Sequence, residues 1–308
     1  MGLSHCLSSR RDYALAGPII FFPKASAIVD RLTSLLDQFS LRAGVFYTGK
    51  LCGIHDFEED ATHGHLHLIR RGPAQVIGVA KEVIDISEPS ILFLPRPEQH
   101  RLVADDGAGA DVVCGTVLFG IGGRNPVTDS LPGVILVPLA ILPGVEALLG
   151  LMFDEAFSGQ AGSQAALDRL CEVLMIHLLR HCLDQGLTQG GTLAGLADNR
   201  LAKALIDIHA DPARAWQLAD MAATAGMSRA RFAVRFREVT GGTPADYLAT
   251  WRLMSAQRLL EQGQPLKQVA CEVGYGSASA LSRVFVRKLG CSPTDWLTHR
   301  KSTPVTAT

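Results

Sequence analysis

The feature that most constrains this chain is a repeat in its last hundred residues. Ser228, Phe232 and Phe236 return as Ser277, Leu281 and Phe285, an offset of 49 positions (228 to 277). Ala222 and Gly226 return as Ala270 and Gly274, an offset of 48 (222 to 270). Gly241 and Pro244 return as Gly290 and Pro293, again at 49 (241 to 290). One extra residue in the second turn, Gly276, accounts for the change of offset. Each copy reads as a helix, a tight glycine turn and a second helix opened by serine. That is the grammar of a helix-turn-helix, whose second helix enters the DNA major groove. A supersecondary unit present twice at a fixed period is a structural repeat.

Between the copies, Pro244 to Gln262 reads as one helix, opened by proline and stopped at Gly263. Such a helix is about 28 Å long at 1.5 Å per residue. It would hold two recognition helices about one DNA turn (~34 Å) apart on one side of a duplex. On a helical wheel Phe232, Phe236 and Val239 share the inward face of the first recognition helix. Ala230, Val234 and Arg237 fall opposite, with Arg231 and Arg235 on one flank. In the second helix Leu281 and Phe285 face inward, and Ser279, Arg283 and Arg287 face out. Arg283 is the candidate for direct readout, because a guanidinium can form two hydrogen bonds to a guanine edge. Ser228, Arg229, Arg231, Val234, Arg235, Arg237, Ser277, Arg287 and Lys288 complete the candidate DNA contacts, the basic ones by way of phosphates.

Charge is distributed as that reading requires. The net charge of the 308 residues is −1. Residues 201–308 carry 14 Lys and Arg against 8 Asp and Glu, leaving 15 basic and 22 acidic residues elsewhere. Only the basic third suits a polyanion. At this length the chain should hold about two domains of ~100–200 residues. The seven cysteines are dispersed and form no CxxC pair, which points to free thiols in a reducing compartment. The start lacks a signal-peptide core, and the most apolar window, 133–153, contains two prolines and a glutamate. It reads as a strand and a helix, not a membrane span. A cytoplasmic protein is expected.

The first half follows a different pattern. Lys24 to Phe39 has apolar residues at helical spacing. From Ala43 to Leu139 come short apolar or alternating runs, such as HLHLIRRG, SILFLPR and DVVCGTVLFG, separated by Gly, Pro and Asp. They predict an antiparallel sandwich or barrel. Helices are predicted over 144–157 and 163–185. The stretch GLTQGGTLAGLADN reads as an interdomain linker. The expected division is a sensor and dimerisation domain at 1–186, a linker at 187–200, a DNA-binding domain at 201–302 and a tail at 303–308.

The C-terminal part resembles the DNA-binding domain of the AraC/XylS family of transcription regulators. The likeness rests on Ala225–Arg229, Thr240–Pro244, Trp251–Leu260, Val273–Phe285 and Gly290–Pro293. Many members carry a basic residue where Val234 stands here. The N-terminal part resembles the cupin-type sensor domain of a subset of that family, through His67–Gly72, Phe93–His100 and Val112–Gly115. Within the subset the chain is similar to the reactive-chlorine-sensing regulators, whose two thiols sit at places comparable to Cys52 and Cys114. The resemblance implies a multidomain α+β protein: a cupin-like β-barrel with helices, then an all-α domain with two helix-turn-helix units joined by a long helix. It implies a homodimer that binds double-stranded promoter DNA, recruits RNA polymerase and acts as an activator.

The effector end is open to several readings. His63, His65 and His67 alternate and point one way along a strand, and His100 can approach from another. Gathered imidazoles suit a metal. By the cupin resemblance a carboxylate is also needed, and Arg70 and Arg71 stand near its place. The other readings are a polar barrel mouth, or a grip on an acidic effector through Arg70 or Arg71. No cofactor is expected. A sensor thiol at Cys52 or Cys114 must be partly exposed with a lowered pKa. Otherwise each is a small core residue. Cys171, Cys182, Cys271 and Cys291 lie on or beside predicted helices and are expected to pack. The rival function is a cupin metalloenzyme with an appended helical domain.

Overall fold

A computed structural model describes residues 30–58, 62–120, 125–142 and 144–302. The predicted helix over 24–39 is described from residue 30 on, and appears as α1 (Thr33–Phe39). Its earlier part and the tail at 303–308 lie outside the described residues.

Among the described residues nine strands follow. They are β1 (Leu41–Leu51), β2 (Gly53–Phe57), β3 (Gly64–Arg71), β4 (Ala74–Ile77), β5 (Val83–Ile86), β6 (Ser90–Leu94), β7 (His100–Ala104), β8 (Ala110–Phe119) and β9 (Ile135–Pro138). They form two antiparallel sheets, ordered β1-β8-β3-β6-β9 and β2-β7-β4-β5. Residues of both sheets, among them Ile69, Val76, Leu92, Leu102 and Cys114, make one buried cluster. The five-stranded sheet also buries its other face. Leu66, Leu68, Ile91, Phe93 and Val113 pack there with α3 (Ser163–Asp184). That double burial explains why SILFL is apolar without alternation. β1 bulges between Val45 and Tyr47. The Val45 backbone groups displaced there are satisfied from α3. Its amide donates to Asp168 at 2.9 Å, and Gln164 Nε2 donates to its carbonyl at 2.6 Å. The apolar window at 133–153 resolves into β9 and α2 (Glu146–Ser158). Among the described residues no helix is long and apolar enough to cross a membrane.

The stretch expected as a linker is structured. Residues Gly191–Ala197 form α4, with Leu193 and Leu196 fully buried. Glycine and threonine content suggested freedom, but two leucines three apart found a core to enter. Next come α5 (Leu201–Ala210), α6 (Leu218–Thr224), α7 (Arg229–Thr240), α8 (Pro244–Glu261), α9 (Leu266–Glu272), α10 (Ala278–Leu289) and α11 (Pro293–Ser302).

The repeat is visible in these bounds. α6 and α9 each have seven residues, and α7 and α10 each have twelve. Ser228 and Ser277 cap the recognition helices, their hydroxyls accepting from the Arg231 and Ala280 amides. Gly241 and Gly290 end them at φ of 79° and 75°, a left-handed turn that favours glycine. The inward residues Phe232, Phe236, Leu281 and Phe285 are all fully buried.

The two units sit in different cores. Met221, Phe232, Phe236, Leu248 and Trp251 belong to a cluster that continues through Leu205, Leu196 and Leu35 to α3 and the five-stranded sheet. Leu253, Leu260, Val269, Leu281 and Phe285 form a separate cluster. α8 is shared: its first half enters one cluster and its second half the other.

Candidate DNA interface and sensor cluster

On α10 the inward face is apolar and the outward face is open. Ser277, Ser279, Arg283 and Arg287 are exposed. Lys288 turns back to Asp246 and Thr250 on α8, so its ammonium is engaged. On α7, Ser228, Arg229, Arg231, Val234 and Arg237 are exposed, Val234 to 59%. An exposed valine on a recognition face offers only methyl groups to a base edge.

Arg235 is held differently. Its Nε and Nη2 both donate to Asp198 Oδ2, at 2.9 and 2.8 Å. Asp198 stands between α4 and α5, and its other oxygen accepts from the Arg200 and Leu201 amides. Burial raises the Asp198 carboxyl. The Leu201 amide, the Arg235 guanidinium and the Arg200 amide outweigh it, so its pKa lies below the ordinary value. A cleft of about 770 Å³ runs between Asp198–Arg200 and the Ala230–Val234 face of α7. The first recognition helix therefore has a wall opposite its outer face. The α4–α5 junction is in turn tied to the start of the described chain. Arg31 donates to the Leu196 carbonyl at 3.3 Å and to Asn199 Oδ1 at 2.8 Å.

Behind the first unit, His209 lies parallel to Trp251 with ring centroids 3.6 Å apart. Its Nε2 is 2.7 Å from the Tyr247 hydroxyl. Burial pushes its pKa down to about 3. Phe39 of α1 meets the same tryptophan edge-on at 6.0 Å. Sequence reasoning passed over both Asp198 and His209. Neither stands in a motif, and each gains its partner only by the fold.

At the sensor end three of the predicted histidines gather. His65 and His67 on β3 and His100 on β7 are buried, with ring centroids 4.9–6.2 Å apart. Phe57 stacks on His100 at 5.1 Å. His100 Nδ1 lies 2.9 Å from the Glu98 carbonyl and must donate to it. Its Nε2 is then an acceptor, so His67 Nε2 donates across the 2.7 Å between them. Burial, then the neighbouring His100 and His65, lowers the pKa of His67 well below normal. Burial also lowers His100, against the Glu98 carbonyl. Both shifts favour the neutral rings. The two remaining predicted residues stand apart. His63 precedes β3 and bonds the Thr62 hydroxyl at 2.8 Å. Arg70 is on the opposite face of β3, its guanidinium 4.7 Å above the Phe153 ring. Alternation explains this, since 65 and 67 share a parity that 70 does not. Among the described residues the group does not fit a cupin metal: no carboxylate joins it, and two of its nitrogens are spent on each other. Among the described residues no set of three such side chains is arranged to hold an ion.

The thiols divide clearly. Cys52 is exposed in the turn after β1. Cys114 is fully buried between the sheets, and burial pushes its thiol up to about 12. β8 residue Ala110 pairs with Leu51, and Cys114 lies four positions further along that strand, about 13 Å at ~3.3 Å per residue. A disulfide between Cys52 and Cys114 would need the strands to move. Cys171 and Cys182 pack, with thiols raised to about 12 and about 11. Cys271 is exposed, against the expectation that it packs.

Two capped recognition helices on a shared rod, joined to a double sheet, define a DNA-binding transcription regulator. A cupin family model matches residues 30–184, and a helix-turn-helix domain model matches 221–299. An AraC-like transcription regulator of Streptomyces lividans is 35% identical over 260 residues, covering 75% of this chain and 85% of that one. A second, from Streptomyces antibioticus, is 32% identical and covers 88% and 97%. RclR of Escherichia coli K12, described as an RCS-specific transcriptional activator, is 28% identical and covers 75% and 82%. The chain belongs to the AraC family of transcription regulators, in the group with an N-terminal cupin-like domain. These relatives are regulators, which supports the regulator over the enzymatic reading.

Proposed function

We propose that the chain is a cytoplasmic, homodimeric activator that places α7 and α10 in successive major grooves and recruits RNA polymerase. The observation that carries this is the matched geometry of α7 and α10: equal length, equal caps, and exposed polar faces at the two ends of one 18-residue helix. Arg283 reads a base. Ser228, Arg229, Arg231, Arg237, Ser277, Ser279 and Arg287 position the duplex through phosphates, and Val234 meets thymine methyls. Arg235 and Lys288 join once freed from Asp198 and Asp246. Leu151 and Phe157 of α2 and Val173 of α3 are exposed apolar residues, which supports pairing with a second copy through these helices.

The signal enters at the sensor domain. A small effector is received around His65, His67, His100 and Phe57. The RCS-specific relative supports an oxidant as an alternative signal, and of the two thiols Cys52 is the one in reach of solvent. A selection from random duplexes, followed by anisotropy at several salt concentrations, tests the DNA reading. Arg283→Ala should cost about 1–3 kcal/mol and relax one position of the selected site. Unchanged affinity and selectivity would refute it. Cys52→Ser abolishing an oxidant response would support the thiol route, and an unaltered response would end it.

A further inference from the structure

Between the two reading units lies a groove of about 620 Å³. Its floor is apolar: Met221 of α6, Leu248 of α8 and Val284 of α10 are buried side chains that line it. Val234 of α7, exposed to 59%, forms one edge. Arg237, Arg252 and Arg287 stand around it, and no aspartate or glutamate is among its lining residues. Arg252 is fixed in place, donating to the Pro212 and Arg214 carbonyls at 2.7 and 2.8 Å. Its guanidinium lies 5.6 Å from the Tyr275 ring. The Tyr275 hydroxyl is buried at the groove and has no hydrogen-bond partner among the described residues. Burial raises that hydroxyl, and Arg252 and Arg287 oppose the rise, so both guanidinium groups bear on it.

Three cations with no carboxylate among the lining residues, a hydroxyl unpartnered among the described residues and a greasy floor select one kind of occupant. The volume is within the range of sites that take drug-sized molecules, ~300–1,000 Å³. We infer that this groove is a binding site for an amphipathic organic anion, with its apolar body on Met221, Leu248 and Val284 and its anionic head at Arg252, Arg287 and Tyr275. DNA backbone is the weaker match: its phosphates suit the arginines, but its sugars bring polar edges to an apolar floor. Arg237 and Arg287 also belong to the proposed DNA-reading faces. A bound anion therefore occupies groups that phosphates need, and it opposes DNA binding. This competition, unlike the ligand site itself, rests on the DNA reading proposed above.

The test uses 2-naphthoate as probe on the full chain, by calorimetry. Saturable one-to-one binding is expected, weakened at least tenfold for the uncharged 2-naphthamide and for acetate, which lacks the apolar body. Ala249→Trp should fill the groove and abolish binding; Ala245→Phe, at an exposed lining position, serves should the first variant fail to fold. In anisotropy with a selected duplex, 2-naphthoate should weaken DNA binding of the wild type and leave the filled variants unaffected. Absence of saturable binding, binding untouched by filling, or equal binding of the amide would overturn the site. Groove-specific binding that leaves DNA affinity unchanged would keep the anion site and overturn the shared use of Arg237 and Arg287. Duplex binding lost on filling, with no binding of naphthoate, would make the groove a backbone seat and overturn the proposal.

Discussion

The two helix-turn-helix units share one plan and differ in what surrounds them. α7 and α10 have the same length, the same serine cap and the same left-handed glycine end. Yet Phe232 and Phe236 of α7 belong to a core that runs on into the five-stranded sheet, while Leu281 and Phe285 of α10 close a core of their own. The first unit also has Arg235 held by Asp198, from a junction that Arg31 braces. The second has Arg283 in the open, and its held cation, Lys288, is bound by α8 within the DNA-binding half. One unit shares its core with the N-terminal domain, and the other keeps a core of its own.

The largest effect that can break this contrast is core truncation. Phe236→Ala and Phe285→Ala should each cost about 3–5 kcal/mol locally. Hydrogen exchange should show the first loosening α4, α5 and the sensor helices, and the second confined to α9–α11. Equal spread from both would mean that the cores are energetically one.

Acid gives the next test, since only the first unit has a buried imidazole in its seam. His209 protonates near pH 6.5 when unfolded and near 3 when folded. The unfolded state therefore takes up the proton first. This contribution is complete above pH 6.5 and is lost as pH falls toward 3, at most about 3 kcal/mol at pH 4. Urea unfolding of His209→Phe should lack that part of the pH dependence. An unchanged slope would show that His209 is not its source.

The smallest effect sharpens the contrast most. Asp198→Asn should free Arg235, steepen the salt dependence of DNA binding by about one ion and raise affinity about two- to threefold. Asp246→Asn frees Lys288 in the same way. Deleting the sensor domain should abolish the benefit of the first change and leave that of the second. Identical behaviour of the two would remove the asymmetry.

The sequence revealed the repeated unit well, because caps, turn glycines and inward aromatics are local signals that recur at fixed positions. It also revealed the strands and the gathering of His65, His67 and His100. It misled where tertiary packing decides. The glycines around Leu193 and Leu196 suggested a loose tether, but the leucines enter a core assembled from seven other helices and a sheet. Arg70 was legible after all, since strand alternation alone sets it on the face away from His65. The Arg235–Asp198 pair spans 37 positions and carries no pattern, so nothing short of the fold could reveal it.

α8 carries a mechanical consequence. Its 18 residues make a rod about 27 Å long, with Trp251 near the middle pressed between His209 and Phe39. Such a rod is a lever with its fulcrum at the tryptophan. A tilt of about ten degrees there would swing the far end by about 2–3 Å, given a half-length of ~13 Å. That is enough to take an arginine out of register with a guanine. A signal need not travel through the second unit to silence it; it need only rock the pivot.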